Sequence, residues 1–354
     1  MRETVRNKVL VAPLNWGLGH VSRCIPIVKF LIANNLEPVI ASDGDALVFF
    51  RKEFPTLDYI ELPSYGIVYA KKAYALKFKL LFSFFFIRKA VAKERKFIEA
   101  NINPSEFVGI ISDNRFGVCH SKIPSVYITH QLSVLSGLTT KITSFVHQRI
   151  IAQFDECWVP DTSGKMNLGG RLSQSSKDVK ISVKYIGPLS RLNKLEVPIA
   201  YDLLVLLSGP EPQRTLLENK LLSELERFEG KIAFVRGVVS SGNKINAPKN
   251  MKVYNFLLSE NLEKLMHQSE LVICRSGYSS IMDLQKLEKK AFFIPTPGQT
   301  EQVYLAKRMQ ELQIADYCCQ KEFTLACLAR VNSFLGFSNR TCSILEKDLL
   351  QLFT

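Results

Sequence analysis

"KVLVAPLNWGLGHVSRCIPIVKFLIANN", residues 8–35, sets the reading of the chain. An apolar run (8–14) leads into Gly17 and Gly19, and from His20 onward apolar residues recur at helical spacing. Strand, glycine turn and helix in that order open a doubly wound α/β sheet. The glycines permit positive φ and close approach of backbone to a ligand. A helix starting near His20 or Val21 turns its unpaired N–H groups and positive dipole end toward an anion. A bare turn is the plain alternative. A histidine and Arg23, one helical turn apart, favour a site with chemistry.

The same alternation continues. Strands are expected at 37–42, 57–63, 107–113, 124–130 and 156–160, with helical patterns between most of them, the longest from about Ala70 to Asn101. Continuous apolar runs joined by helices predict parallel sheets covered on both faces. A polar, proline-bracketed segment, "GPLSRLNKLEVP" (187–198), interrupts the pattern. It restarts with strands at 201–208, 231–237, 251–256, 270–276 and 290–296, and a helix at 213–228. Two Rossmann-like domains are therefore expected, 1–190 and 198–335, facing across a cleft onto which the carboxyl ends of both sets of strands open. A final helix over 338–354 packs on either domain or crosses between them.

The 354 residues suit two such domains. The formal charge of +13 is uneven: residues 1–195 hold 27 Lys and Arg against 15 Asp and Glu, and the remainder 19 against 18. The first half therefore faces something anionic. The eight cysteines have no metal-ligand spacing, and no secretory leader or apolar run long enough to span a membrane is evident, which predicts reduced thiols and a cytoplasmic place.

Three stretches of the second half can carry chemistry. "ICRSGYSSIMDL" (273–284) repeats the strand–turn–helix arrangement. Ser276, Ser279 and Ser280 can each cap the helix, or the N–H groups of the Ser276–Gly277 turn cradle a phosphate, and Asp283 can accept ribose hydroxyls or be a merely buried or solvated acid. In "FIPTPGQTEQVYLAKRM" (293–309), Gln299, Glu301 and Gln302 open another helix with groups suited to sugar hydroxyls. "LLSGPEPQR" (206–214) follows the restarting strand.

Taken in order, Gly-x-Gly-His, Ser-Gly-x-Ser with a following acid, and Pro-x-Pro-Gly-Gln-x-x-Gln resemble GT-B-fold glycosyltransferases of the family 28 group. That group includes the peptidoglycan N-acetylglucosaminyltransferase and diacylglycerol glycosyltransferases. The first motif also resembles nucleotide-sugar hydrolases. The resemblance implies an inverting, metal-independent transfer from a nucleotide-diphosphate sugar, UDP favoured, to an acceptor hydroxyl. The nucleotide sugar is a substrate, and no cofactor or metal is expected. His20 would lie at the reaction centre, beside the donor diphosphate and the acceptor hydroxyl, with Gly17 and Gly19 on the donor. Ser276, Gly277 and Ser279 would meet the donor phosphates, Asp283 the ribose, and Gln299, Glu301 and Gln302 the donor sugar. Phe256 and Leu257 would flank the base. Two departures stand out. The second glycine-rich loop is reduced to Ser208 and Gly209, with Arg214 expected to take over phosphate contact. Leu305 stands where an asparagine is frequent, which leaves the sugar open.

His20 is the leading base, because an imidazole titrates near neutral pH. Asp113, ending "FVGIISD", and His130, ending "VYITH", are alternatives, and Arg23 and His130 are placed on the acceptor side. Residues 71–96 carry nine Lys and Arg and one Glu around a phenylalanine cluster. Two readings stand: a helix lying on an anionic membrane surface, with a lipid-linked acceptor at the inner face, or an ordinary covering helix with a solvated basic side. A nucleotide-sugar hydrolase or epimerase using the same residues is the alternative activity. Nucleic acid is not expected as a partner, since no nucleic-acid-binding motif accompanies the basic stretch.

Overall fold

A computed structural model describes residues 7–15, 18–65, 75–134, 140–164, 167–174, 181–209, 211–238, 245–337 and 345–353; for residues 18, 75–87, 141 and 142 it describes the backbone alone. The chain divides into two compact units: Met1–Trp16, His20–Leu189 and Cys342–Thr354 in one, Gly17–Gly19 and Ser190–Thr341 in the other.

In the first unit the elements run β1 (Lys8–Pro13), α1 (Leu18–Ala33), β2 (Glu37–Ser42), α2 (Gly44–Glu53), β3 (Asp58–Glu61), α3 (Ala75–Asn101), β4 (Phe107–Asp113), β5 (Ser125–Ile128), α4 (Thr140–Ile151), β6 (Glu156–Val159) and β7 (Ser182–Tyr185). Their strands form one parallel sheet in the order β3-β2-β1-β4-β5-β6-β7. Val9 to Ala12 of β1 are all buried, because helices cover both faces of this strand. On one face Leu10, Ala12, Val39 and Ile110 pack against Ile98 of α3 and the following Ile102. Each such side chain contributes about 1.5–3 kcal/mol by leaving water. The chain order reverses between β1 and β4, which makes their carboxyl ends the natural place for a ligand.

The second unit contains β8 (Tyr201–Leu206), α5 (Gln213–Glu224), β9 (Ile232–Val235), β10 (Met251–Tyr254), α6 (Ser259–His267), β11 (Ser269–Cys274), α7 (Tyr278–Leu287), β12 (Lys290–Phe293), α8 (Thr300–Glu311) and β13 (Asp316–Tyr317). Its parallel sheet runs β10-β9-β8-β11-β12-β13 and reverses between β8 and β11. Leu203, Val205, Leu221, Phe234, Ile273 and Phe292 form its core. From Ser190 onward the expected linker belongs to this unit: the Leu195 amide donates to His267 Nε2 at 3.1 Å and Lys194 pairs with Glu288 at 2.5 Å.

The expected strands are present, with systematic differences. Most apolar runs continue past the last paired residue: 124–130 contracts to Ser125–Ile128, 201–208 to Tyr201–Leu206 and 290–296 to Lys290–Phe293. The surplus residues leave the ladder to form the loops that follow. β7 and β13 were not expected; one is a four-residue strand with no fully buried position, the other only two residues long. α1 begins at Leu18, two residues earlier than read, so His20 is its third residue.

The final segment is a short 3-10 helix, Lys347–Phe353, rather than a helix over 338–354, of which 338–344 lie outside the described residues. It belongs to the first unit. The Phe353 ring lies 6.2 Å from that of Trp158 and over Gly109, where any β-carbon would run into the ring. Phe353→Ala is expected to cost about 3 kcal/mol, the low end for a buried aromatic because a terminal segment can readjust. Urea unfolding of the variant measures this.

In α3, Glu94 and Ile98 face inward, while Arg88, Lys89, Lys93 and Lys96 are exposed. This part of the basic stretch is a covering helix with a solvated cationic side. Phe82, Phe84, Phe85 and Phe86 lie where side chains are outside the description. Among the described residues no helix is long and apolar enough to cross a membrane.

Candidate active site

At the reversal point of the first sheet, four predicted residues meet. β1 delivers the chain into α1, whose first two turns present His20 and Arg23 on one face. β4, paired in register with β1 (Pro13 opposite Asp113), ends on Asp113. His130 follows β5. Arg23 grips Asp113 with two donors, Nε to Oδ2 at 2.6 Å and Nη2 to Oδ1. Its Nη1 donates to His130 Nδ1 at 3.0 Å. His20 Nδ1 lies 3.0 Å from Asp113 Oδ1 and 2.7 Å from Arg23 Nη2. The Cys24 thiol adds a 3.4 Å contact to Asp113 Oδ2.

Exposure separates the roles. Asp113 has no accessible surface and Arg23 almost none, while the His20 side chain retains 14%. Asp113 therefore does not meet a substrate itself, contrary to its expected place as an alternative base; it acts on His20. Burial pushes its carboxyl up, but the Arg23 guanidinium and the His20 ring overcome that and hold it well below the usual carboxylate range. For His20, burial lowers the pKa, Asp113 opposes, and Arg23 lowers it further; the outcome lies below 6.5. At neutral pH the pair is an ionised aspartate beside a neutral imidazole.

At the corresponding end of the second sheet, the β8 loop carries Ser208 and Gly209, with Gly209 at φ 105° and open space where a side chain would point. After β11, Ser276 and Gly277 lead into α7, with Gly277 at its N-cap and Ser279 one residue beyond the start. Asp283 is buried on α7 and accepts from Ser190 Oγ at 2.6 Å. Burial raises its pKa to about 6, against the pull of Arg191 and the Ser190 hydroxyl. Phe256 and Leu257 follow β10, half-buried. Glu301 lies in the first turn of α8.

Several expected roles are corrected. The Ser276 hydroxyl is spent on the Gln302 carbonyl (2.7 Å) and the Ser279 hydroxyl on the Gly19 carbonyl (2.9 Å), leaving the backbone N–H groups of this turn for an anion. Gln302 uses its carboxamide to close its own loop: its oxygen accepts from the Thr296 amide and its nitrogen donates to Gln299, both at 2.8 Å. It positions Gln299 rather than reaching outward. Arg214 is not offered to a phosphate: Nε meets Glu211 at 2.5 Å and Nη1 meets Glu218 at 2.7 Å, and Arg236 clasps the same Glu218. Its charge is already neutralised. Gly19, inside α1, does not use the positive φ that a glycine permits. Gly17 lies outside the described residues.

Sequence reasoning missed the buried network beside Asp113. Arg115 donates to Glu94 at 2.6 Å, Asp43 at 2.7 Å and the Pro63 carbonyl at 2.9 Å, and Tyr65 donates to Glu94 at 2.5 Å. It ties α3 to the loops after β2 and β4. An acid on the apolar face of a basic helix was its one visible signal. Among the described residues no three His, Cys, Asp or Glu side chains group as metal ligands.

Residues 215–333 match the glycosyltransferase family 28 C-terminal domain. The matched stretch lies within the second unit. A UDP-N-acetylglucosamine–N-acetylmuramyl-(pentapeptide) pyrophosphoryl-undecaprenol N-acetylglucosamine transferase of Haemophilus ducreyi is 22% identical over 184 residues, 50% of this chain and 48% of that protein. The chain thus spans about half the length of the curated relative it matches. Among solved structures, the kitacinnamycin glycosyltransferase superposes with TM-score 0.61 at 14% identity, over 92% of this chain and 89% of that one. MurG of Acinetobacter baumannii gives 0.52 at 13%, over 92% of each. A spinosyn rhamnosyltransferase complexed with thymidine diphosphate gives 0.59 at 13%, over 93% of each. At these identities the likeness is one of fold: two Rossmann-like domains, as in GT-B glycosyltransferases. The family 28 match begins one residue after Arg214, so it contains α7 and its turn, the β12 loop and most of α5.

Proposed function

We propose that the protein is an inverting glycosyltransferase that moves a sugar from a nucleoside diphosphate, UDP by preference, to an acceptor hydroxyl. The observation that carries this reading is the His20–Asp113–Arg23 cluster in a chain that also matches the family 28 C-terminal domain. We assign the proton of the neutral His20 to Nδ1, where the ionised, accepting-only Asp113 takes it, while Arg23 Nη2, 2.7 Å from the same nitrogen, turns its hydrogen to Asp113 Oδ1. Nε2 is then the unprotonated nitrogen and serves as base. It removes the acceptor proton as the acceptor oxygen bonds to the anomeric carbon. The bond from that carbon to the donor phosphate oxygen breaks with its electron pair, and the nucleoside diphosphate leaves from the opposite face. N–H groups and the positive end of α7 receive its charge, so the mechanism invokes no metal.

The acceptor we propose is lipid-linked, with the enzyme working at an anionic membrane face. The charge excess of the first half and the exposed cations of α3 support this, as does the undecaprenol-linked acceptor in the name of the Haemophilus ducreyi relative. Sedimentation with vesicles of phosphatidylglycerol against phosphatidylcholine tests it: binding to the anionic vesicles alone, lost at high salt, is the expected result.

Asp283 gives the donor side its own test. As carboxylate it accepts ribose hydroxyls; below about pH 6 it becomes protonated. The donor KM is expected to rise as pH falls through this range while remaining flat above it. Asp283→Asn should raise KM at neutral pH and remove that pH dependence, as measured by steady-state kinetics between pH 5 and 8.

A further inference from the structure

Arg275 is the residue between β11 and the Ser276 turn, and it is 1% exposed. Nη1 donates to the carbonyls of Ile294 at 3.0 Å and Pro295 at 3.1 Å. Nη2 donates to the Gln213 carbonyl at 2.9 Å and to Gln320 Oε1 at 2.8 Å. One guanidinium therefore fastens the start of α5, the β11 turn and the loop after β12, the three loops at the carboxyl ends of the central strands.

Its electrostatic situation differs from that of Arg23, Arg115, Arg214 and Arg236, which are also buried. Arg23 meets Asp113, Arg115 meets Glu94 and Asp43, and Arg214 and Arg236 both meet Glu218. Arg275 meets only neutral oxygens among the described residues, and its Nε has no partner. Burial lowers its pKa to about 10, with no carboxylate opposing the fall, and it stays charged at neutral pH. A buried cation without a counter-ion is costly, so its charge calls for an anion from outside the protein.

We propose that Arg275 is the built-in counter-charge for a nucleoside diphosphate at the turn before α7, acting as a positioning residue that fixes three loops and lends them an uncompensated positive charge. This rests on the donor reading above. It adds a source of diphosphate affinity that Arg214, neutralised by its own glutamates, does not supply.

The test is calorimetric titration of the full chain with UDP and with uridine, and with dTDP and thymidine in parallel, for wild type, Arg275→Met and Arg275→Lys. The expected result is a loss of about tenfold or more in diphosphate affinity in the Met variant, the scale of a charge pair at an effective dielectric of about 20. Nucleoside affinity should stay within twofold, and the Lys variant should retain the diphosphate preference. Equal weakening of diphosphate and nucleoside would make Arg275 a loop anchor only and overturn the proposal, as would unchanged diphosphate binding. If the Met variant does not fold, the Lys variant decides: a collapsed preference for diphosphate over nucleoside overturns the charge role. Wild type that binds neither diphosphate overturns the donor reading itself, and this proposal with it.

Discussion

Replacing His20 with alanine is expected to lower kcat by about 10²–10⁴-fold while leaving the donor KM within a few-fold, because a positioned general base is worth that much. The side chain stands in the first turn of α1 with 14% exposure, so its removal creates no deep cavity and the fold should persist. The wild-type pH profile provides a second check. Burial and Arg23 hold the imidazole below 6.5, so kcat at saturating donor should be flat through neutrality and fall only on the acid side of that value. In His20→Ala this acid limb should be lost from the residual rate. An undiminished rate in the variant would remove His20 from the chemistry.

Asp113→Asn is expected to cost about 3–5 kcal/mol of stability, because it leaves Arg23 buried without a counter-charge. The sign with pH follows from the lowered pKa of Asp113. The folded state binds fewer protons than the unfolded chain, so the contribution is full above the unfolded value of about 3.9 and is lost as pH falls through and below it. Urea unfolding should therefore show a large difference between wild type and variant at pH 7, narrowing below about pH 5. The variant should also be slow, since an amide no longer selects the Nδ1–H form of His20. Equal stability of the two proteins at pH 7 would contradict the buried pairing.

Much of this was visible in the sequence. Alternating apolar runs and helical patterns are local, so the strands of both sheets could be read directly, and the glycine–histidine element after β1 marked one end of the site. The carboxyl ends of strands were blurred because the residues just past the paired segment, such as Leu207 and Ile294, continue an apolar run. What a side chain holds was not visible. His20 and Asp113 lie 93 residues apart, and nothing local says that Arg23 binds them together. Arg214 reads as an available cation until Glu211 and Glu218 close on it, and Ser276 and Gln302 read as ligand contacts until Ser276 is found bonded to the Gln302 carbonyl and the Gln302 carboxamide to Thr296 and Gln299 of its own loop. Short α-helical spacing puts Glu218 beside Arg214, so that pairing was open to inference; the Gln302 closure, set by the turn at Gly298, was not.

The most direct test of the account is nucleoside diphosphate release by the full chain from UDP-, GDP- and dTDP-sugars, with and without a bacterial lipid extract. Release is expected to require the lipid acceptor, to match glycosylated product one for one, to be fastest with a UDP-sugar and to be lost in His20→Ala. Release at the same rate without acceptor, yielding free sugar, would contradict it and make the protein a hydrolase.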